Sequence, residues 1–206
     1  METKRFTEEE TDAAAALLRE GGLVAVPTET VYGVAANAED EAAVRRLYDL
    51  KNRDPGKPIS ILVTGMDMAQ RYCRSIPSAA YRLAEQYWPG PLTMVLEDRE
   101  VVPAIVTART GTLGVRCPDH PLTLAVIEKA GVPLAAPSAN PSGEEPARTA
   151  GEVLAYFDGR IAAVADGGPS AMGVASTVLD LTAAEPRVLR EGGISAGELL
   201  AFLKEG

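Results

Sequence analysis

Short apolar runs that end at glycine, proline or polar residues recur along this chain and most constrain its fold. The runs are rich in Val, Ile and Leu, and they are GLVAVP, ISILV, LTMVLE, TLGVR, VPLAAP, IAAVAD, ASTVLDL and PRVLR. Residues of these types pack well on the pleated surface of a strand. The chain is therefore predicted to build a β-sheet from several short strands.

Helices are predicted between these strands, where apolar residues recur at helical spacing or capping patterns occur. The predicted extents are Thr7 to about Glu20, 39–50, Pro77–Tyr87, Asp119 to about Ala130, and a last helix that begins at Ser195. Because strands and helices alternate irregularly, with consecutive strands near the end, we expect an α/β fold with a twisted mixed parallel/antiparallel sheet flanked by helices. The length predicts a single domain over residues 1–206.

Composition excludes several classes of function. The net charge is −9 and aromatic residues make up 5% of the chain, which argues against a broad nucleic-acid-binding surface. Cys73 and Cys117 are too few for a disulfide scaffold. The start, METKRFTEEE, lacks the apolar core of a signal peptide, and no apolar run approaches the roughly 18 residues of a membrane span. We expect a soluble, cytoplasmic protein without membrane association.

The common catalytic and metal-binding motifs are absent from the sequence. His120 is the single histidine, so a Ser-His or Cys-His nucleophilic system would have to use it; its position in PDHP favours a residue in the first turn of a helix. HExxH, CxxC, GxxxxGK[ST] and GxGxxG do not occur. We therefore expect no protein-built metal site, and a nucleotide would have to be held without the usual phosphate loops.

Hydroxyl, amide and basic residues cluster where predicted strands and helices end. They are Thr28, Thr30, Lys51, Arg53, Lys57, Thr112, Arg116, Ser138, Asn140, Arg148, Ser176, Thr177 and Arg190. Ligands commonly bind at the ends of strands in α/β proteins. Taken singly, the charges in KNRDPGK can be solvated turn residues, and Ser138 and Asn140 can be turn formers. Arg116 is more informative, because an arginine within an apolar strand needs an anion or carboxylate partner.

These residue types suit a ligand with several negative charges. Arginine forks match phosphate and carboxylate oxygens, and charge-assisted hydrogen bonds contribute roughly 1.5–3 kcal/mol each. The set holds no strong candidate for a nucleophile or a titrating base. The residues alone therefore predict an enzyme that acts by positioning and charge neutralisation, as in phosphoryl or nucleotidyl transfer, and they leave the substrate open.

Read in order, several segments together resemble the YrdC-like family, the threonylcarbamoyl-AMP synthases. These segments are GLVAVPTETVYGV, LKNRDPGKPISILV, WPGPLTMVL, LGVRCPDHP, PLAAPSANPSG, ASTVLDL and VLREGGIS. The resemblance extends from about Gly21 to Ser195. It is similar to the short, single-domain form of the family, without the extra C-terminal domain of longer relatives.

The resemblance implies a nucleotidyltransferase that condenses L-threonine, bicarbonate and ATP to threonylcarbamoyl-AMP and pyrophosphate. The product serves the threonylcarbamoyl modification of the tRNA adenosine beside the anticodon, so the implied partner is a threonylcarbamoyl-transferase complex that acts on tRNA. The family fold encloses a large, positively charged central cavity. The implied cofactor is Mg²⁺, which arrives with ATP rather than in an all-protein cage.

The resemblance also implies roles for individual residues. It assigns Lys51 and Arg53 to catalysis, Thr30, Arg116, Ser138 and Ser176 to threonine, and Arg53, Lys57, Thr112, Asn140, Arg148 and Arg190 to ATP. Some relatives carry Asn at the position of Lys57 and His at that of Leu62. Since leucine cannot replace a polar contact, Leu62 is expected to lie outside the site.

Two alternative functions remain open at this stage. One is an RNA-binding module without turnover, with weak RNA binding in the basic concavity; the low aromatic content argues against it. The other is a domain related to carbamoyl transfer, as found within hydrogenase-maturation carbamoyltransferases. Those proteins carry acylphosphatase and zinc-finger-like segments, which this sequence lacks.

Overall fold

A computed structural model describes residues 2–205, and its strands form one mixed sheet. The strands are β1 (Lys4–Phe6), β2 (Val24–Val26), β3 (Gly33–Asn37), β4 (Ile61–Leu62), β5 (Cys73–Arg74), β6 (Leu92–Asp98), β7 (Thr112–Arg116), β8 (Leu134–Ala135), β9 (Ala163–Ala165), β10 (Thr177–Asp180) and β11 (Arg187–Arg190). Their order is β1-β9-β2-β3-β8-β4-β7-β6-β10-β11, and β5 pairs with β6. The pairs β1/β9, β2/β9, β4/β7 and β6/β10 are parallel, while the other neighbours are antiparallel. The predicted mixed sheet is confirmed.

Helices flank the sheet. They are α1 (Thr11–Arg19), α2 (Glu41–Lys51), α3 (Met66–Ala69), α4 (Ser78–Tyr87), α5 (Ala104–Thr107), α6 (Pro121–Ala130), α7 (Ala150–Phe157) and α8 (Ala196–Lys204). A 3-10 turn, Glu8–Glu10, precedes α1, and α1 packs against α6. Within residues 2–205, every helix is too short or too polar to cross a lipid bilayer.

Local capping sets the ends of several helices. Thr7 and Glu10 form the predicted capping box, and the Ser195 hydroxyl accepts a hydrogen bond from the Glu198 N–H. The Asp40 carboxylate accepts from the backbone N–H groups of Ala42 and Ala43 at the start of α2. These side chains satisfy donors that the first turn of a helix leaves unpaired.

Several elements differ from the sequence-based prediction, which did not contain β1, β3, β5, α3, α5 or α7. The segment GVAAN was not predicted as a strand, because alanine and glycine have low strand propensity; β3 forms because it pairs on both sides, with β2 and β8. Helix α7 was also missed, although Thr149 and Glu152 form a capping box in front of it. Helix α6 begins at Pro121, with His120 in the N-cap position, whereas the prediction placed its start at Asp119.

The antiparallel strands β6 and β7 have one face that packs against the core and one face that points away from it. Met94 lies opposite Val115, and Leu96 lies opposite Leu113; all four side chains are buried in the core. Because successive side chains in a strand point to opposite faces, the alternate positions of both strands face the other way. That second face carries the polar residues described below.

Replacement of Asp40 by alanine tests the capping of α2. The change removes the side-chain acceptor for two backbone N–H groups, so the free energy of unfolding should fall by about 1 kcal/mol. Urea denaturation would measure it. Asp49→Ala is the matched control, since Asp49 is exposed on the same helix and should stay within roughly 0.5 kcal/mol of wild type. Equal losses for both variants would contradict the capping role.

Candidate active site

A cavity of about 580 Å³ lies against the second face of the sheet. Its floor is formed by alternate residues of two strands: Thr93 and Val95 of β6, and Thr112, Gly114 and Arg116 of β7. The wall also includes the turns after β2 and β8, the strands β10 and β11, and residues of the segment 53–62 that follows α2. A side chain at Gly114 would bring its Cβ to 2.4 Å from the Ser60 hydroxyl, so glycine keeps this part of the floor open.

Three arginines line the cavity. In each of them, the protein accepts hydrogen bonds from the same edge of the guanidinium group, the edge that carries Nε and Nη2. Arg53 donates from Nε and Nη2 to the carbonyls of Lys57 (3.3 Å) and Pro58 (2.8 Å). Arg190 donates from the same two nitrogens to the Ser176 carbonyl, at 3.1 and 2.9 Å. Among the described residues, Nη1 of both side chains has no hydrogen-bond partner. The guanidinium groups are therefore oriented before any ligand binds.

Arg116, the third arginine, is buried, and it also donates from Nε and Nη2 to acceptors within the protein. Its exposed fraction is 7%. Nε donates to the Gly90 carbonyl at 3.1 Å, and Nη2 donates to Oε1 of Glu29 at 2.6 Å; within residues 2–205, Nη1 again has no partner. Burial lowers the pKa of Arg116, and the Glu29 carboxylate opposes that shift. The expected carboxylate partner of this buried arginine is thus part of the protein itself.

Hydroxyl groups occur in hydrogen-bonded pairs around the arginines. The Thr28 and Thr30 hydroxyls lie 2.8 Å apart, as do those of Thr93 and Ser176. The Thr110 and Thr112 hydroxyls are 3.0 Å apart. Each pair combines donors and acceptors, so the wall can adapt to either kind of polar group on a ligand.

The cavity collects most of the residues that the sequence singled out. Eight of them line it: Thr28, Thr30, Arg53, Thr112, Arg116, Ser138, Ser176 and Arg190. Thr112 and Arg116 face the same side of β7, as their spacing predicted. Leu62 also lines the cavity, although it was expected to lie outside the site. Its aliphatic side chain contributes shape rather than a polar contact.

Lys51 lies behind the wall and is not among the lining residues. Its side chain is 2% exposed, and its ammonium group donates hydrogen bonds to the carbonyls of Ser138 and Asn140. The last turn of α2 is thereby connected to the loop after β8, which brings Ser138 to the cavity. The catalytic role of Lys51 stays a prediction.

Lys57, Asn140 and Arg148 also lie outside the cavity lining. Lys57 is exposed in the turn after α2. The Asn140 amide donates to the carbonyls of Pro141 and Glu144, while its Oδ1 is buried without a partner in the described structure. Arg148 is exposed and contacts the Ser170 carbonyl at 3.5 Å. Their assignment to ATP stays a prediction.

Sequence reasoning missed two residues that shape the site. Glu29 pairs with Arg116 across 87 positions of sequence, and no local pattern indicates such a pairing. Thr93 holds the Ser176 hydroxyl. A signal for Thr93 existed, because a polar residue within LTMVLE predicts a side chain on the face opposite the core.

Comparison with known proteins shows the family. A family model described as "Sua5_yciO_yrdC: Telomere recombination" matches residues 16–192. The chain belongs to the Sua5/YciO/YrdC family. Two relatives, both named threonylcarbamoyl-AMP synthase, come from Pyrococcus abyssi and Bacillus subtilis. They are 44% and 41% identical to this chain, and each match covers 98% of it.

A solved Sua5/YciO/YrdC structure has the same fold. The structure of P. abyssi Sua5 complexed with L-threonine superimposes with a TM-score of 0.95 at 41% sequence identity, and the match covers 100% of this chain and 62% of that one. Similarly, the chain spans 59% and 62% of the two relatives' lengths. Longer members of the family therefore contain a further segment that the match does not include.

Lys51 should show a characteristic dependence of stability on pH. Burial lowers its pKa from 10.5 to about 8, and Arg53 adds to the shift. Between these values the unfolded chain binds more protons than the folded one, so the stability of the folded protein should rise with pH in this window. Denaturant titrations should show the wild type gaining about 2 kcal/mol relative to Lys51→Met between pH 7 and 9.5. A difference independent of pH would contradict the lowered pKa.

Proposed function

We propose that this protein is an enzyme, a nucleotidyltransferase that makes threonylcarbamoyl-AMP and pyrophosphate from L-threonine, bicarbonate and ATP. The observation that carries the proposal is the set of three oriented arginines, Arg53, Arg116 and Arg190, whose Nη1 atoms have no protein partner in the described structure. Together with the hydroxyl pairs, they suit an anionic nucleotide and a small amino acid in one cavity. The names of the relatives support this substrate set.

The chain's own groups would act by position and charge. Arg53 and Arg190 would contact the phosphates of ATP, and Arg116 would contact the carboxylate of threonine, with Thr30, Ser138 and Ser176 orienting the amino acid. No Lys, His, Cys, Asp or Glu is among the cavity-lining residues of the described chain. Tyr32 also lines the cavity, but burial raises its pKa to about 12, so it stays neutral near pH 7. This composition supports catalysis by positioning and electrostatic stabilisation.

Two bonds would form in this reaction. The threonine amine attacks carbon dioxide with release of a proton, or bicarbonate with loss of water, to give a carbamate. A carbamate oxygen then attacks the α-phosphorus of ATP, and the bond from that phosphorus to the bridging oxygen of the pyrophosphate group breaks. Pyrophosphate leaves, and its negative charge would be stabilised by Arg53 and Arg190. The roles of Lys51, Lys57, Thr112, Asn140 and Arg148 in ATP binding or catalysis are part of the same proposal.

Magnesium would arrive with the nucleotide. Within residues 2–205, no group of three or more His, Cys, Asp or Glu side chains is placed to hold a metal ion. This fits an ion that is held mainly by phosphate oxygens and water, where it would neutralise part of the phosphate charge. The arginines would then contact the phosphates and not the metal.

The biological role that we propose follows from the product. Threonylcarbamoyl-AMP would pass to a threonylcarbamoyl-transferase complex that modifies the tRNA adenosine beside the anticodon. We place the reaction in the cytoplasm, where ATP and tRNA are available; both cysteines are free thiols, as is usual in a reducing compartment.

Release of pyrophosphate from Mg-ATP tests the proposed reaction. We expect release only when L-threonine and bicarbonate are both present, because the carbamate is the attacking nucleophile. Omission of either substrate is the control. Release that needs neither substrate would contradict the proposal and indicate a different ATPase or nucleotidyltransferase.

Arg190→Gln tests the assignment of the phosphate contacts. Loss of a charge-assisted contact of roughly 1.5–3 kcal/mol should raise the KM for ATP by about 10- to 100-fold, with a smaller effect on the KM for threonine. Arg187→Gln is the matched control, since Arg187 is exposed on the same strand and does not line the cavity. Equal effects of the two substitutions would exclude a specific role for Arg190.

A further inference from the structure

Glu29 lies directly behind the cavity wall, in the turn between β2 and β3. Its side chain is 12% exposed, and both carboxylate oxygens are engaged. Oε1 accepts from Nη2 of Arg116 at 2.6 Å, and Oε2 accepts from the Asp119 backbone N–H at 3.1 Å. The Glu29 backbone carbonyl also accepts from the Met172 N–H at 2.8 Å. The carboxylate is therefore held in a defined position against one edge of the Arg116 guanidinium.

The other two cavity arginines have no such counterion. Arg53 and Arg190 are held by backbone carbonyls, and no carboxylate of residues 2–205 forms an ion pair with either of them. Each adds a full positive charge to its part of the cavity. Arg116 and Glu29 together are neutral. The cavity thus holds two cations without a counterion, Arg53 and Arg190, and one cation, Arg116, whose charge is compensated by Glu29.

This asymmetry has a direct consequence for anion binding. An anion that contacts Nη1 of Arg116 also lies close to Glu29, because Nη1 and Nη2 belong to one guanidinium group. The attraction to Arg116 and the repulsion by Glu29 both scale with the charge of the ligand, whereas the cost of removing an anion from water grows with the square of its charge. A counterion that weakens the net attraction therefore disfavours a phosphate dianion more than a carboxylate. Selectivity between ligands can rest on such a repulsive group as well as on attractive contacts.

We propose that Glu29 is a specificity-determining residue that makes the Arg116 guanidinium accept a single carboxylate and reject phosphate. Phosphate groups are thereby left to Arg53 and Arg190, which have no counterion. The identification of the carboxylate as that of threonine rests on the proposed function, whereas the exclusion of phosphate rests on the Glu29–Arg116 pair alone.

Calorimetric titration of the full chain with inorganic phosphate, without nucleotide, tests this role. Glu29→Gln should bind phosphate at least about tenfold more tightly than wild type, because Arg116 loses its counterion. Glu41→Gln is the matched control: it makes the same chemical change at an exposed glutamate that pairs with Arg45 on α2, and its phosphate affinity should equal that of wild type. Circular dichroism would establish that each variant is folded.

Two further variants make the test specific. Glu29→Ala removes the carboxylate without placing a second N–H group opposite that of Asp119, and it should show the same gain if the glutamine variant does not fold. In the double variant Glu29→Gln/Arg116→Gln, the increase in phosphate affinity should vanish. This result would show that the additional phosphate binding occurs at Arg116. L-threonine should compete with the phosphate bound by Glu29→Gln.

The outcomes separate this inference from the proposed function. Phosphate affinity unchanged in both single variants, or a gain that persists without Arg116, would overturn the role of Glu29 and leave it as a structural partner of Arg116. Failure of threonine to compete would overturn the identification of the carboxylate as that of threonine, while the exclusion of phosphate by Glu29 would stand. If wild type released no pyrophosphate in the assay above, while Glu29→Gln gained phosphate affinity at Arg116, the proposed function would fail and the charge-selective role of Glu29 would stand.

Discussion

Arg116 connects segments that are distant in the sequence. Its guanidinium reaches from β7 to the carbonyl of Gly90, which precedes β6, and to the carboxylate of Glu29 in the turn after β2. A buried guanidinium without partners would be strongly destabilising, so these contacts are a requirement of the fold as well as a feature of the site. The position of the β2–β3 turn, and with it Thr28 and Thr30, depends on this interaction.

The site is organised before ligands bind. Each cavity arginine uses Nε and Nη2 for contacts within the protein, and the hydroxyl pairs hold one another. Orientation of donors in advance reduces the reorganisation that a ligand or a transition state would require. Burial lowers the pKa of Arg190, and repulsion from the neighbouring charges of Arg116 and Arg53 adds to this shift. A polyanionic ligand would relieve that repulsion.

The fold was largely predictable from local pattern. Most predicted strands and helices are present because alternating or helical spacing of apolar residues requires one buried face. The failures have specific causes. The strand β3 consists mainly of small residues, and only its pairing with β2 and β8 makes it a strand. Helix α7 could have been predicted from the capping box that precedes it. Strand β1 could not, because it is three residues long and depends on its pairing with β9.

The sequence by itself determined which residue types gather at strand ends, and it placed Thr112 and Arg116 on one face of their strand because side chains alternate. Only the tertiary structure decided which of these residues meet. It turned Lys51 behind the cavity wall toward two carbonyls, brought Leu62 into the lining, and paired Glu29 with Arg116. Local spacing determines the direction of a side chain within its own element, but pairings across many residues depend on sheet order and packing, which no short segment encodes.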